Sequence, residues 1–396
     1  MNDIFVSAGT DVHFSTWDIF LPLGISFFTF QSMSYTFDVM EGRFKVVRSL
    51  RDFALYVIFW PQLVAGPIMR IHELLPQFNI LKKIDVSEFK YGIRRIIEGL
   101  FLKLVIADNI APFVNEGFRT YEYNSILDNW SLAFAFGLQI YLDFAGYTSI
   151  AIGSAKLLGI SLTENFNFPY TAANPRLFWK NWHISLSSWV RDYLYIPFMG
   201  QSRRSSSSTG GIQVAADVGL EVTISEKRRS FSLFASWAIM GLWHGANWTF
   251  VLWGLWHAMI IQVYRWISVF TKKNTSISTK WYVKSAGYLV TLMAVMMGWV
   301  FFRAENLNQA VHMLVKMFDI STIARISYRE NNYLLLVLFY TGFFVYYFIY
   351  KNFKGIQARF LYDKLGWVYN SVIYASLTIS IIAFFDKTQP FIYFQF

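Results

Sequence analysis

"FSLFASWAIMGLWHGANWTFVLWGLWHAMIIQVYRWISVF", residues 231–270, runs for forty positions with Arg265 as its one Asp, Glu, Lys or Arg. A helix crossing a bilayer needs about 20 mostly apolar residues. The stretch is therefore too long for one ordinary crossing, and "WHGAN" sits near its middle. Two readings stand: two segments, or one long tilted helix. Either way His244 lies in surroundings where a polar ring must find a partner or be costly to bury.

The same length criterion applied outward gives an all-α, polytopic membrane bundle. Residues 19–37, 283–302, 333–350 and 367–385 read as single spans. The stretch 127–160 poses the same choice as 231–270. "FALYVIFWPQLVAGPIM" (53–69) is apolar but carries Pro61, Gly66 and Pro67. That suits a broken or re-entrant helix, tolerated at membrane depth only where protein or a wet cavity covers the freed backbone. The count comes to about seven to nine embedded segments.

Composition agrees. The 396 residues are 55% hydrophobic, 20% aromatic and 15% charged, against about 25% charged in soluble domains. Forty Phe, 23 Tyr and 15 Trp are enough for aromatic belts at both interfaces. The absence of cysteine excludes disulfides, thiolate metal sites and a cysteine nucleophile, and leaves the redox compartment open. The net charge of +10 resides in segments between apolar runs: "RFKVVRSLR" (43–51), "KKIDVSEFKYGIRR" (82–95), "TKKNTSISTK" (271–280) and "KNFKGIQARF" (351–360). That pattern marks cytoplasmic loops and anionic lipid rather than nucleic acid. Re-entrant segments spoil a parity count, so topology stays unassigned. Residues 1–15 carry Asp3, Asp11 and His13 and lack a basic start, so no cleavable signal is expected. Nor is there a phosphate-binding GxxxxGK[ST] loop, a GxSxG elbow or an HExxH helix. ATP-driven transport and soluble-type serine hydrolysis have no support.

"TAANPRLFWKNWHISLSSWVRDYLYIPFMG" (171–200) differs from the spans. Asn174 and Pro175 make a helix start, cap then Pro at the first position. Trp179, Trp182, Leu186, Trp189 and Tyr193 then recur at steps of three and four, opposite Lys180, Asn181, Ser185, Ser188, Arg191 and Asp192. The stripe predicts one amphipathic helix at the membrane interface, ended by Pro197 and Gly200. Residues 201–230 are low in complexity and read as a flexible loop, with "GLEVTI" able to form at most a short strand.

Polar groups within apolar segments are functional candidates by default. Gln139, Asp143 and Tyr147 in "LQIYLDFAGYTSIAIG" (138–153) stand at steps of four, a ridge on one helix face. Asp143 is either a structural partner for a buried Arg, His or Tyr or part of a cavity wall. His183 is either a boundary residue or a functional one. His244 is flanked by Gly241 and Gly245, a spacing that admits close approach, with Asn247 and the walls of Trp243, Trp248, Trp253 and Trp256 nearby. It is either a tie between helices or a base able to take a proton near pH 7. His257, thirteen residues on, lies about 220° round a continuous helix; it shares no face with His244 unless the helix breaks, and reads as packing or outer support. His13, His72 and His312 fall in polar or amphipathic stretches.

"FWKNWHISLSSWVRDYLYIPFMG" followed by "GLWHGANWTFVLWGLWHA" closely resembles the membrane-bound O-acyltransferase family. Within it the resemblance is to bacterial alginate O-acetylation membrane proteins and kindred exopolysaccharide or peptidoglycan acetylators. "LPLGISFFTFQSMSYTFDV" (21–39), "FWPQLVAGPIMR" (59–70), "QIYLDFAGYTSIAIG" (139–153), "WVFFRAENLNQA" (299–310) and "PFIYFQF" (390–396) extend it over nearly the whole chain from residue 20.

The resemblance implies one membrane-embedded helical domain, residues 1–396, around a central tunnel, in a multi-pass protein of the cell inner membrane. It implies acetyl-CoA as the acyl donor with no resident cofactor and no metal. The acceptor is a hydroxyl on a surface polysaccharide, reached directly or through an extracytoplasmic acetyltransferase partner. The family's near-invariant histidine carries over to His244 and its second polar position to His183. Asp143, Asn247, Trp243 and Gln139 are weaker candidates to line the substrate. Two features depart from the pattern: only twenty residues precede "LPLGISFFTF", where relatives have several more helices, and the loop 201–230 is longer than theirs. The competing readings are a lipid or glycan translocator and a non-catalytic scaffold for an extracytoplasmic acetyltransferase.

Overall fold

Apolar runs of helical length, punctuated by Pro, Gly and Asn, give helices throughout. In the computed structural model no strand occurs among the described residues, which are 24–64, 66–80, 85–201, 225–273, 281–352, 366–385 and 389–391. The main helices are α1 (Ile25–Met40), α2 (Leu50–Ile58), α3 (Ile71–Phe78), α4 (Val86–Leu100), α5 (Asp108–Arg119), α6 (Ile126–Leu157) and α7 (Pro175–Asn181). They continue with α8 (Ile184–Val190), α9 (Glu226–His244), α10 (Trp248–Lys273), α11 (Trp281–Arg303), α12 (Leu307–Lys316), α13 (Glu330–Asn352) and α14 (Gly366–Phe384).

The two long stretches resolve differently. Residues 126–157 form one helix of 32 residues, about 48 Å at 1.5 Å per residue. Ser125 and Asp128 close a reciprocal capping box at its start. Residues 226–273 instead form two helices that break between His244 and Trp248. The hairpin closes tightly because Gly241 faces the Phe250 carbonyl and Gly254 the Trp237 carbonyl, positions a methyl group would occupy. Gly245 lies over the Phe250 ring.

The segment 53–69 is broken, as its prolines predict. A short turn Trp60–Leu63 follows α2. The Tyr56 hydroxyl donates to the Met69 carbonyl at 3.0 Å, Gln62 Nε2 donates to the Tyr56 carbonyl at 2.8 Å, and Ile68 N–H donates to Ser185 Oγ at 3.0 Å. Buried side chains thus take up backbone groups that the break frees.

Several expectations need correction. Residues 82–95, read as a loop, enter α4 at Val86, and α9 begins at Glu226, inside the loop drawn to residue 230. Residues 202–224, with Arg203, Arg204 and "GLEVTI", lie outside the described residues, as do residues 1–23 and 392–396 of "PFIYFQF". Tyr282–Arg303 and Glu330–Ile349 are the two helices among the described residues that are long and apolar enough to cross a membrane by length and composition. That is fewer than the seven to nine segments expected: α1 has only 16 residues, and α6 carries the buried Asp128 and Asp143.

The helix expected over residues 175–197 is also broken, by a turn at Trp182–His183 between α7 and α8, and it widens to a π-turn at Arg191–Tyr195. Its stripe faces protein rather than an interface: Trp179, Trp182, Leu186 and Trp189 are all buried. Periodicity identified an apolar face but not its partner, and here the partner is the aromatic core contributed by α6, α9, α10 and α11.

α4 and α6 cross along glycines. A methyl on Gly99 would stand 2.5 Å from the Gly146 carbonyl oxygen, and one on Gly146 would stand 2.7 Å from that of Gly99. One turn-pair away, Gly92 and Gly153 repeat the arrangement at 2.9 and 2.5 Å. The backbones touch here because neither helix has a side chain between them, and the approach brings the π-turn Phe101–Ala107 against α6.

Candidate active site

His244 is the last residue of α9, and Gly245 begins the break. Asn247 builds the turn: its Oδ1 accepts Thr249 N–H at 3.0 Å and its Nδ2 donates to the Glu305 carbonyl at 2.9 Å. Its side chain therefore serves the chain reversal, in a loop beside the site. The His244 ring is enclosed by Trp243 at 4.5 Å, Trp253 edge-on at 4.9 Å, Phe302 at 4.9 Å and Phe250 at 6.3 Å between centroids. Only 8% of the residue remains exposed. Trp243 also packs on Phe30 of α1 at 5.0 Å, which ties this wall to the N-terminal helices.

His183 occupies the turn between α7 and α8 with φ 40° and ψ 59°. A non-glycine residue in the left-handed region costs about 1–2 kcal/mol and persists only where its surroundings impose it. Here the imposing residue is Asn165. Its carbonyl accepts Ile184 N–H at 3.0 Å, and its side-chain Oδ1 accepts Ser185 N–H at 3.2 Å and Ser185 Oγ–H at 2.7 Å. Asn167 N–H adds a bond to the Asn181 carbonyl at 3.0 Å. The result buries His183, 1% exposed, edge-on to Phe144 at 4.5 Å. The expected boundary position is thus replaced by a core position.

Asn165→Ala is expected to leave buried donors without acceptors, at about 1–3 kcal/mol each. A lowered thermal midpoint and lost activity should follow. Native values of both would remove Asn165 from this account.

The turns that carry the two histidines face one aromatic core. Aromatic rings join their turns: Trp182 lies 4.8 Å from Trp299, Trp299 is 6.2 Å from Trp253, and Trp253 abuts His244. His257 supports the far side of Trp253 at 5.2 Å. The Trp179 indole N–H donates to His257 Nδ1 at 3.2 Å, so a neutral His257 carries its proton on Nε2. The helix break brings His244 and His257 to the same tryptophan, which no continuous helix would do.

Of the polar ridge, Asp143 is buried and ion-paired with Lys103 at 2.8 Å. The sequence reading considered Arg, His or Tyr for this role, and the structure supplies a lysine as a partner. The rule that flagged Asp143, a charge within an apolar run, applies equally to Lys103 in "GLFLKLVIAD" (99–108) and would have found it. Gln139 is buried in α6, and Tyr147 packs against Phe391 at 4.8 Å. Trp299, Phe302 and Asn165 were missed as site residues. The first two lie in a quoted motif but read as ordinary span, and Asn165 lies in a loop without periodicity.

A buried pair of imidazoles in an aromatic shell can exchange a proton with a hydroxyl while keeping water away. Comparisons with known proteins show the family. The model of the membrane-bound O-acyltransferase family matches residues 14–215. The chain is 37% identical to the probable alginate O-acetylase AlgI of Azotobacter vinelandii, over 81% of this chain and 58% of that protein. It is also 37% identical to the protein of the same name from Pseudomonas aeruginosa, over 81% and 56%. With the peptidoglycan O-acetyltransferase of Helicobacter pylori it shares 30% identity, over 97% of this chain and 76% of that one. The chain belongs to the membrane-bound O-acyltransferase family. Its matched region spans under three fifths of the two alginate O-acetylases.

Proposed function

We propose that this protein moves an acetyl group from acetyl-CoA to a hydroxyl, toward O-acetylation of a bacterial surface polysaccharide, either an alginate-like exopolysaccharide or peptidoglycan. It works in the inner membrane, with an extracytoplasmic acetyltransferase as the partner that carries the group onward. The observation that carries this reading is His244 at a helix break, walled by Trp243, Trp253 and Phe302, with the turn of His183 joined to it through Trp182, Trp299 and Trp253. The family to which the chain belongs and the names of its relatives agree with it.

In this mechanism neutral His244 takes the proton of the acceptor hydroxyl as its oxygen attacks the thioester carbonyl. The tetrahedral intermediate collapses, the carbon–sulfur bond breaks, and the thiolate leaves with the proton from His244. Positioned general-base catalysis of this kind supplies about 10²–10⁴-fold. His183 donates to the developing oxyanion from the opposite turn, where the low dielectric strengthens the bond. The aromatic walls favour transfer over hydrolysis. Trp243 lines the acceptor path, and Gln139 and Asp143 lie on the helix that backs His183. Arg228 and Arg229 are engaged with the Phe198 carbonyl and Glu226; together with Lys227 they act as surface charge beside membrane lipid.

The deciding experiment is acetyl-CoA turnover by the purified protein in detergent, with a glycan oligosaccharide as acceptor. Turnover that depends on His244 and rises with acceptor concentration, alone or with the extracytoplasmic acetyltransferase added, is expected. Transport of the oligosaccharide without acetyl-CoA consumption would replace the reading by translocation. Turnover only after an extracytoplasmic acetyltransferase is added, insensitive to His244, would replace it by a scaffold.

A further inference from the structure

A buried ion cluster lies beside the proposed site but outside the mechanism. Lys103 sits in the π-turn Phe101–Ala107, an insertion of the kind that recurs at functional positions. Its Nζ stands 2.6 Å from Asp108 Oδ1 and 2.8 Å from Asp143 Oδ1. It also donates to the Gln389 carbonyl at 2.9 Å, while Gln389 N–H donates to Asp108 Oδ2 at 3.1 Å. Both backbone groups of one residue, 281 positions away along the chain, are thus held by the cluster. Two residues on, Phe391 is buried against Tyr147 at 4.8 Å and Phe144 at 5.8 Å. Phe144 is the ring that meets His183 edge-on.

We propose that Lys103, Asp108 and Asp143 form a clasp for the segment 389–391, seating Phe391 behind the His183 wall. They are positioning residues, and their effect on catalysis rests on the reading given above; the clasp itself does not. Buried charges are costly unless further hydrogen bonds satisfy them. The Gln389 peptide supplies one acceptor for the ammonium and one donor for a carboxylate. Recognition is of backbone at Gln389 and of a ring at Phe391, so the seat is ionic where a peptide enters and aromatic where a side chain enters. Asp143 and Tyr147, four residues apart on α6, provide one element of each.

The test is a carbethoxylation footprint of the full chain with diethyl pyrocarbonate, read by mass spectrometry, with surface His72 as the internal reference. Lys103→Met and Phe391→Ala are each expected to raise the rate at His183 about tenfold, as local opening exposes it. The double variant is expected to match the larger single effect, since both act through one segment. A native rate in Lys103→Met, or additive effects in the double variant, would overturn the clasp. Should Lys103→Met fail to fold, Phe391→Ala, which disturbs no charge, decides the matter: a native His183 rate there overturns the seat. In active preparations both variants are expected to lower kcat with little change in the KM for acetyl-CoA. The footprint needs no turnover, so failure of the clasp is distinct from failure of the catalytic reading.

Discussion

His244→Ala is expected to lower acetyl transfer by about 10²–10⁴-fold, the range of a positioned general base, or about 3–5 kcal/mol of barrier at 1.36 kcal/mol per decade. The aromatic side chains packed on the ring cannot take over the proton. The ring is surrounded by Trp243, Phe250, Trp253 and Phe302, none of which is a base. Truncation also leaves a gap in an aromatic core, which lowers stability on its own account. His244→Gln separates the two effects, because it keeps most of the volume and a hydrogen-bonding amide but has no basic nitrogen. A Gln variant that melts like the native protein and has lost turnover places the imidazole at the chemistry. Equal rates in native and Gln proteins would return His244 to the role of a buried tie between α9 and α10.

Gly146→Leu is expected to disrupt the bundle itself. A β-carbon there would meet the Gly99 carbonyl oxygen at 2.7 Å and Lys103 N at 3.1 Å. Both are backbone atoms, so no side chain can swing away and the helices must part. Overpacking costs about 1–3 kcal/mol, and more where the obstacle cannot relax; the upper end is expected here. Separation of α4 from α6 would also carry the π-turn away from α6 and break the Lys103–Asp143 pair, so activity should fall with stability. Gly342→Leu is the control, since a methyl at Gly342 meets nothing within 4 Å. A thermal melt in detergent should show a lowered midpoint for Gly146→Leu and an unchanged one for Gly342→Leu. Equal midpoints would mean that the crossing is looser than its geometry implies.

How much of this was legible beforehand depends on how local each signal is. The helical character of 283–302, 333–350 and 367–385 follows from apolar length, and the elements α11, α13 and α14 match it closely. The break in 53–69 follows from Pro61, Gly66 and Pro67, which act on their own turn. Asn174 caps α7 by accepting Leu177 N–H at 2.9 Å, as the Asn-Pro start predicts. The histidine turn at 183 was not legible. "NWHIS" carries no Gly or Pro, and its left-handed residue is imposed from outside by Asn165. The Trp179–Tyr193 stripe was legible as apolar yet assigned to the wrong surroundings, because periodicity carries no information about what covers a face.

The sequence by itself determined a helical membrane protein, its family, and the two histidines worth testing. Each of these rests on composition, run length or contiguous motif, which act within a few turns of chain. Tertiary structure alone decided that residues 226–273 fold back at His244, that Asp143 answers to Lys103, and that Gln389 returns to a cluster 281 residues earlier. These depend on contacts between segments distant in the chain. A buried charge or a strained turn takes whichever partner packing brings within about 3 Å, and that distance is set by the crossing of helices, not by spacing along the sequence.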